Sequence, residues 1–190
     1  MDTKKIEKLW RQILVEIGEN PERVGLQETP KRIAKMYTEL FRGYDETQKP
    51  EVTVFPNGTD GVQYDAMIID TGYYFSHCEH HGVPFFGQYH FAYIPSTLIV
   101  GASKIARVVD HYSAKLQIAE RLCQDVVNCL WEATKPRGMI LIMEGRHLCK
   151  EMRGVRKINS PFEVIEAKGL FLNNSGGCKD EFLSRIATKK

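Results

Sequence analysis

Residues 66–95 read AMIIDTGYYFSHCEHHGVPFFGQYHFAYIP, and this stretch carries two candidate strands with a polar segment between them. Residues 66–70 and 86–95 are rich in the β-branched and aromatic side chains that favour strands. The segment from Ser76 to His81 gathers a thiol, a carboxylate and three histidines. The sequence therefore predicts a sheet with chemically active side chains at one end of a strand pair.

The rest of the chain alternates between predicted helices and predicted strands. Apolar residues recur every three or four positions over 6–17 and 29–41, which indicates two amphipathic helices. Further elements are predicted as helices over 103–112, 116–133 and 180–183, and as strands over 139–144, 147–153 and 162–167. This order predicts an α+β fold, with an antiparallel sheet and a helix pair on one face. We expect an N-terminal helical extension over residues 1–45 and a main domain over residues 63–190.

The composition is that of a globular protein. The 190 residues are 43% hydrophobic and 26% charged, and 26 Lys and Arg against 24 Asp and Glu give a net charge of +2. These values exclude intrinsic disorder and indicate neither a basic nucleic-acid surface nor a polybasic membrane anchor. The apolar run at 139–143 is far shorter than the ~18 residues of a membrane span. Since the first residues lack a signal-peptide core, we expect a cytoplasmic protein with no nucleic-acid or membrane partner.

Cysteine and histidine spacing points to a metal site. The five cysteines are an odd number, which favours reduced thiols over a disulfide framework. Cys78 and His81 form a Cys-x2-His step that suits zinc, although a buried thiol beside a histidine explains it equally well. His147 and Cys149 share one face of the predicted strand 147–153, so Cys149 is a candidate third ligand. Two cysteines and one histidine with one open position form a catalytic pattern of zinc.

Two histidines and one glutamate are further candidates for chemistry. His80 and His147 would lie beside the metal as general acid and base groups, or they would only orient its ligands. Glu120 falls on the apolar stripe of the predicted helix 116–133, where a buried carboxylate needs partners. It either forms an ion pair or accepts two N–H donors from a ligand such as guanine, and the spacing favours neither.

A third group consists of side chains able to contact phosphate: Arg32, Lys35, Ser103, Lys104, Arg107 and Arg153. Those at 103–107 open a predicted helix, where free backbone N–H groups and the helix dipole favour an anion. Arg153 has the same strand parity as the candidate ligand Cys149. The alternative is scattered surface charge, which is common for basic residues.

These motifs occur in the order and spacing of one enzyme family, and the chain resembles GTP cyclohydrolase I over nearly its whole length. The matching strings are Glu28-Thr29-Pro30-Lys31-Arg32-Ile33-Ala34-Lys35-Met36-Tyr37, Cys78-Glu79-His80-His81, Val83-Pro84-Phe85-x-Gly87, Ala92-Tyr93-Ile94-Pro95, Gly101-Ala102-Ser103-Lys104-x-Ala106-Arg107, Glu120-Arg121-Leu122, and His147-Leu148-Cys149 with Met152-Arg153-Gly154-Val155.

The resemblance implies a zinc-dependent conversion of GTP to 7,8-dihydroneopterin triphosphate with release of formate, the first step of pterin and folate-type biosynthesis. Zinc would activate water for attack on C8 of the guanine ring. The implied roles are Cys78, His81 and Cys149 as zinc ligands, His80 and His147 as proton carriers, Ser103 in the later rearrangement, Glu120 as the guanine-reading carboxylate, and Lys104, Arg107 and Arg153, with Arg32 and Lys35 from a neighbouring subunit, as triphosphate contacts.

The resemblance also implies the tunnelling fold, with residues 63–190 as the catalytic domain. In this family, subunits join their sheets around a ring, and two pentamers usually stack into a decamer. We therefore expect a homo-oligomer with GTP-binding sites between subunits.

Some positions depart from the family pattern. Ala102 stands where the family usually has Leu, and Ala119 where it usually has Gln. Lys150-Glu151 replaces smaller or apolar residues, and residues 161–166 replace a Thr-rich stretch. Ala102 and Ala119 keep open one alternative, a related enzyme that uses another purine triphosphate or stops at the ring-opened formamide. A second alternative, of another class, is a non-catalytic zinc- or pterin-binding module.

Overall fold

A computed structural model describes residues 1–188 of the chain. The six α-helices in this range are α1 (Thr3–Glu16), α2 (Thr29–Leu40), α3 (Ala102–Ser113), α4 (Ala119–Thr134), α5 (Leu148–Glu151) and α6 (Cys178–Ala187). The seven β-strands in the same range are β1 (Val54–Pro56), β2 (Ile68–Cys78), β3 (Pro84–Ile94), β4 (Leu98–Val100), β5 (Leu116–Gln117), β6 (Gly138–His147) and β7 (Phe162–Gly169). The last two residues of the predicted main domain, Lys189 and Lys190, lie outside the described residues.

Five strands form the main sheet, in the order β5-β2-β3-β6-β7. Neighbours among β2, β3, β6 and β7 pair antiparallel, whereas β5 pairs parallel with β2. β1 and β4 form a separate two-stranded sheet. On β3, Phe85 lies opposite both Ser76 of β2 and His147 of β6. This register brings the C-terminal ends of β2 and β6 to the same end of the sheet.

Apolar side chains cover both faces of the sheet. Because side chains alternate along a strand, Phe91 and Tyr93 point to one face of β3 and Ala92 to the other. Phe91 and Tyr93 pack with residues of α3 and α4 such as Leu122. Ala92 packs with Phe182 of α6. The predicted α+β fold with a helix pair on one sheet face is therefore confirmed, and α6 covers part of the opposite face.

The two predicted N-terminal helices are present and pack on each other. The Asp2 side chain caps α1 by accepting a hydrogen bond from the Lys5 amide at 3.0 Å. Pro30 occupies the first turn of α2, where its fixed φ suits a helix start. Trp10 of α1 and Tyr37 of α2 make an edge-on ring contact at 6.3 Å. Within residues 1–188, no helix has both the length and the apolar character that crossing a bilayer requires.

The strand predicted over 147–153 is wrong. β6 ends at His147 and the chain turns directly into α5, so His147 and Cys149 do not share one face of a strand. Leu, Lys and Glu within 148–151 are strong helix formers. Glu151, at the end of the turn, pairs back to Arg146 on the strand. Both local propensity and this ion pair therefore favour the helical turn.

Other boundaries also differ from the predictions. The helix predicted from residue 116 begins at Ala119, because Leu116 and Gln117 pair with His77 and Cys78 as β5. The strand predicted over 66–70 extends from Ile68 to Cys78. The sheet therefore includes the first candidate ligand. The short strands β1 and β4 were not predicted.

We expect Gly87→Ala to destabilise the sheet. Gly87 lies opposite Gly145, and a Cβ at Gly87 would overlap the backbone of Glu144 and Gly145. The free energy of unfolding should fall by about 1–3 kcal/mol, the usual range for overpacking, as measured by urea denaturation. The control is Gly25→Ala, whose Cβ would meet only the tip of Arg23 at 3.5 Å. Equal unfolding midpoints for the two variants would contradict the close approach of β3 and β6.

Candidate functional site

The tight connection between β2 and β3 presents the first group of candidate residues. The Cys78 amide donates to the Val83 carbonyl at 2.9 Å, and the Gly82 amide donates to the Cys78 carbonyl at 2.8 Å. Gly82 has a φ of +67°, a left-handed conformation that glycine adopts without strain. This turn keeps Cys78 buried and leaves His80 and His81 exposed.

The helical turn α5 places Cys149 beside this connection. One ligand atom from each of Cys78, His81 and Cys149 can be chosen so that all three lie within 4.8 Å of one another. Cys78 Sγ is 3.8 Å from His81 Nδ1 and 3.9 Å from His80 Nδ1. Burial raises the pKa of the Cys149 thiol, and the adjacent Cys78 thiol raises it further. These three residues can hold a metal ion, which would displace the thiol protons on binding.

His147 lies between two aromatic rings. Phe85 stacks on it with ring centres 4.6 Å apart and an interplanar angle of 8°, and Phe162 meets it edge-on at 5.6 Å. Burial lowers the pKa of His147, while the negative charge of Glu120 opposes this shift. Its Nε2 atom is buried and makes no hydrogen bond within the described part of the chain. The two aromatic contacts therefore hold the ring in one orientation.

A cavity of about 220 Å³ joins these groups. It is lined by Cys78, His80, Gln117, Ile118, Ala119, Glu120, His147, Cys149, Lys150 and Phe162. Pockets that enclose a drug-sized ligand measure roughly 300–1,000 Å³. The cavity formed by one chain is thus large enough for only part of a nucleotide.

Glu120 lies on the cavity wall. The sequence predicted that it would be buried, but it is not. It is exposed in the first turn of α4, because the helix starts three residues later than predicted. A carboxylate at a helix N-terminus is favoured by the free backbone N–H groups there. The next residue, Arg121, donates to Gln117 Oε1 at 2.7 Å and pairs with Glu79. Glu120 itself lines the cavity beside Cys149.

Arg153 also reaches the group formed by Cys78, His81 and Cys149, although it follows α5 and does not lie on a strand. Its Nη1 atom is 3.0 Å from His81 Nε2. His81 Nδ1 faces the Cys78 sulfur, and its Nε2 faces the Arg153 guanidinium. The predicted strand parity of Arg153 is wrong, but the structure still places its charge at the site.

The structure does not bring the other phosphate-contacting candidates to this cavity. Ser103, Lys104 and Arg107 lie in the first half of α3, which starts just after β4. β5 follows α3 and pairs with Cys78, so the C-terminal end of α3 lies near Cys78. The start of α3 therefore lies toward the opposite end of the sheet. A 12-residue helix is about 18 Å long. Ser103 is therefore roughly one helix length away from Cys78 within the chain.

Arg107, Arg32 and Lys35 have separate surroundings. Arg107 lines a second cavity together with Arg42, Asp110 and His111. Arg32 and Lys35 are exposed on α2. Within the described residues of one chain, these three side chains do not line the cavity beside Cys149.

Several residues that line the cavity were not predicted as site residues. Lys150 and Phe162 stand at positions that depart from the family pattern, and no site role was predicted for either. The position of Phe162 at the start of β7, opposite Gly145, explains its contact with His147. Gln117 reaches the cavity through its pairing with Cys78. That pairing links two distant segments, and nothing in the local sequence pattern signals it.

Comparisons with known proteins agree with this architecture. A family model for GTP cyclohydrolase I matches residues 6–187. GTP cyclohydrolase 1 of Clostridium kluyveri is 41% identical over 189 residues, which cover 98% of this chain and 96% of the relative. The Deinococcus radiodurans protein of the same name is 42% identical over 183 residues, 95% of this chain and 82% of the relative. The one from Bartonella bacilliformis is 45% identical over 157 residues, 83% of this chain and 76% of the relative. The chain, an α+β protein with the tunnelling fold, belongs to the GTP cyclohydrolase I family.

Proposed function

We propose that this protein is a zinc-dependent GTP cyclohydrolase. It converts GTP and, net, one water molecule into 7,8-dihydroneopterin triphosphate and formate. The observation that carries the proposal is that Cys78, His81 and Cys149 lie close together, and that the two cysteines line a cavity shared with Glu120 and His147. The names of the similar proteins from other organisms support the same reaction.

The donor set fits zinc. Zinc binds thiolate sulfur at ~2.3 Å and imidazole nitrogen at ~2.0–2.1 Å in tetrahedral geometry, so neighbouring ligand atoms lie roughly 3.5–3.8 Å apart. The 3.8 Å between Cys78 Sγ and His81 Nδ1 matches this spacing. Two thiols and one imidazole leave a fourth position free, as in catalytic zinc sites. When bound, zinc would supply a Lewis acid that lowers the pKa of a water molecule to near neutrality.

His80 and His147 are the proposed proton carriers. Both line the cavity that contains the metal-binding thiols. During attack at C8 a proton leaves the water, and a proton reaches the imidazole-ring nitrogen when the C8–N9 bond breaks. His147 is held between Phe85 and Phe162, which fixes the direction of its ring nitrogens. His80 is 65% exposed and can exchange its proton with solvent.

Glu120 is the proposed recognition group for guanine. A carboxylate has two oxygens that can accept the N1–H and 2-amino hydrogens of the base. Ala119, beside it, is buried and lines the same cavity. Because the Ala119 side chain is small and cannot hydrogen-bond, specificity for the base depends on Glu120 and on backbone groups nearby.

The triphosphate and the later rearrangement require residues from another copy of the chain. Ser103 and Lys104 lie about one helix length away from Cys78 within a single chain. The exposed edge of β7 and the exposed aromatic rings of Tyr73 and Phe75 support association of copies. We therefore assign Ser103, Lys104, Arg107, Arg32 and Lys35 of neighbouring copies to the same site as Arg153. Pentameric rings paired into a decamer are the expected assembly.

Removal of one thiol tests the metal site. We expect Cys149→Ala to lose about 90% or more of bound zinc and of formate release, because two ligands hold zinc far more weakly than three. Zinc is measured by mass spectrometry of the metal, and formate is measured with GTP as substrate. Cys129→Ala, which removes another half-buried thiol, is the control and should keep both.

The product separates this function from its alternatives. Mass analysis of the wild-type reaction should find the pterin triphosphate and formate in equal amounts. Accumulation of a ring-opened formamide, or turnover of a different purine triphosphate in place of GTP, would favour the altered enzyme. Stoichiometric zinc without any turnover would contradict catalysis and favour a binding module.

Mixed oligomers test the shared site. Ser103→Ala and Cys149→Ala chains should each be almost inactive alone. After co-expression the two kinds of chain mix at random. A shared site is intact only if one chain supplies an unmutated Cys149 and its neighbour supplies an unmutated Ser103. Each condition holds with a probability of about one half, so about a quarter of the sites are intact. Formate release should therefore recover to about 25% of the wild-type rate. No recovery in verified mixed oligomers would place both residues in one chain's site.

A further inference from the structure

The position of Cys149 depends on contacts outside its own helical turn. α5 has four residues, follows β6 without a linker, and begins after His147, which makes no side-chain capping hydrogen bond. Helix nucleation is unfavourable because one hydrogen bond must fix several dihedral angles. A turn of this length is therefore not stable alone, and other interactions must fix the Cys149 thiol.

One ion pair spans this turn from end to end. The Arg146 guanidinium donates from Nε to Glu151 Oε1 at 3.1 Å and from Nη2 to Glu151 Oε2 at 2.6 Å. The side chain of Glu151 is 4% exposed, whereas that of Arg146 is 46% exposed. A bidentate pair restricts geometry as well as adding energy. Loss of the Arg146 partner would leave the charge of this buried carboxylate uncompensated, which is strongly destabilising.

The pair is itself anchored to the sheet. Arg146 lies opposite Phe86 of β3, and its guanidinium carbon is 5.9 Å from the centre of the Phe86 ring. On the other side of the turn, Lys150 Nζ donates to Ser160 Oγ at 2.7 Å and to the Ser160 carbonyl at 3.1 Å. The turn is thus tied both to the strand before it and to the segment that leads into β7.

We propose that Arg146 and Glu151 are positioning residues that hold the Cys149 thiol at the metal site. The inference rests on the proposed zinc function. Arg146 and Glu151 do not line the cavity beside Cys149. They act through Cys149 by closing the turn in which it lies. Outer contacts of this kind typically change metal affinity 10- to 100-fold when they are removed.

Zinc affinity of the full-length chain tests this proposal. Competition with a chromophoric chelator should give a zinc Kd about 10-fold or more weaker for Glu151→Gln than for the wild type. Arg146→Lys, which keeps a positive charge at a half-exposed position, should weaken binding less. The matched control is Glu181→Gln, since Glu181 makes a similar pair with Arg185 on the exposed side of α6. Its zinc Kd should be unchanged.

A second measurement tests how firmly α5 holds Cys149 in the absence of metal. In zinc-free protein, iodoacetamide should alkylate Cys149 several-fold faster in Glu151→Gln than in the wild type. Cys178, buried in the α6 contact, is the internal reference and should react at the same rate in both. If Glu151→Gln does not fold, Arg146→Lys carries both measurements.

The results of these measurements distinguish the positioning role of Arg146 and Glu151 from the proposed zinc function. A wild-type zinc Kd and a wild-type Cys149 alkylation rate in both variants would overturn the positioning role. A wild-type protein that binds no zinc would instead overturn the proposed function. In that case, faster alkylation of Cys149 would still support the role of the ion pair in holding the turn.

Discussion

The register of β3 between β2 and β6 is the constraint on which the site depends. Phe85 lies opposite Ser76 on one side and His147 on the other. Neighbouring strands are about 4.8 Å apart, so the ends of β2 and β6 lie within roughly 10 Å of each other. A one-residue slip would turn every side chain of a strand to the opposite face. It would move Phe85 off the His147 ring and separate the two thiols.

This constraint explains why the ligands come from short, tightly held segments. Cys78 is the last residue of β2, and Cys149 lies in the turn that directly follows β6. Neither position is on a long loop, so the sheet and the ion pair across α5 can fix both thiols before a metal binds. The cavity beside them accommodates only part of a nucleotide. A single chain therefore brings Cys78, Cys149 and Glu120 to one cavity, whereas Ser103, Lys104 and Arg107 lie in the first half of α3.

The sequence predicted much of this arrangement, and the failures have physical causes. The α+β class followed from local periodicity, and the structure brings Cys78, His81 and Cys149 together as their spacing suggested. Cys149 reaches the other two residues from a helical turn and not from the predicted strand, because an ion pair and helix-forming residues override the strand pattern. Glu120 was predicted to be buried, but it is exposed in the first turn of a helix that starts later than predicted. The pairing of Leu116 with β2 sets that start, and it links distant segments that the local sequence does not reveal. The distance of Ser103 from the thiols also depends on contacts between distant segments. The division into 1–45 and 63–190 stays a prediction.

The proposed site binds zinc through two thiolates and one imidazole, with one position open. X-ray absorption at the zinc edge of the purified protein measures this ligand set. We expect two sulfur neighbours at about 2.3 Å and two lighter neighbours, one from imidazole and one from water, at about 2.0–2.1 Å. A zinc shell without sulfur, or one of four sulfurs, would contradict it.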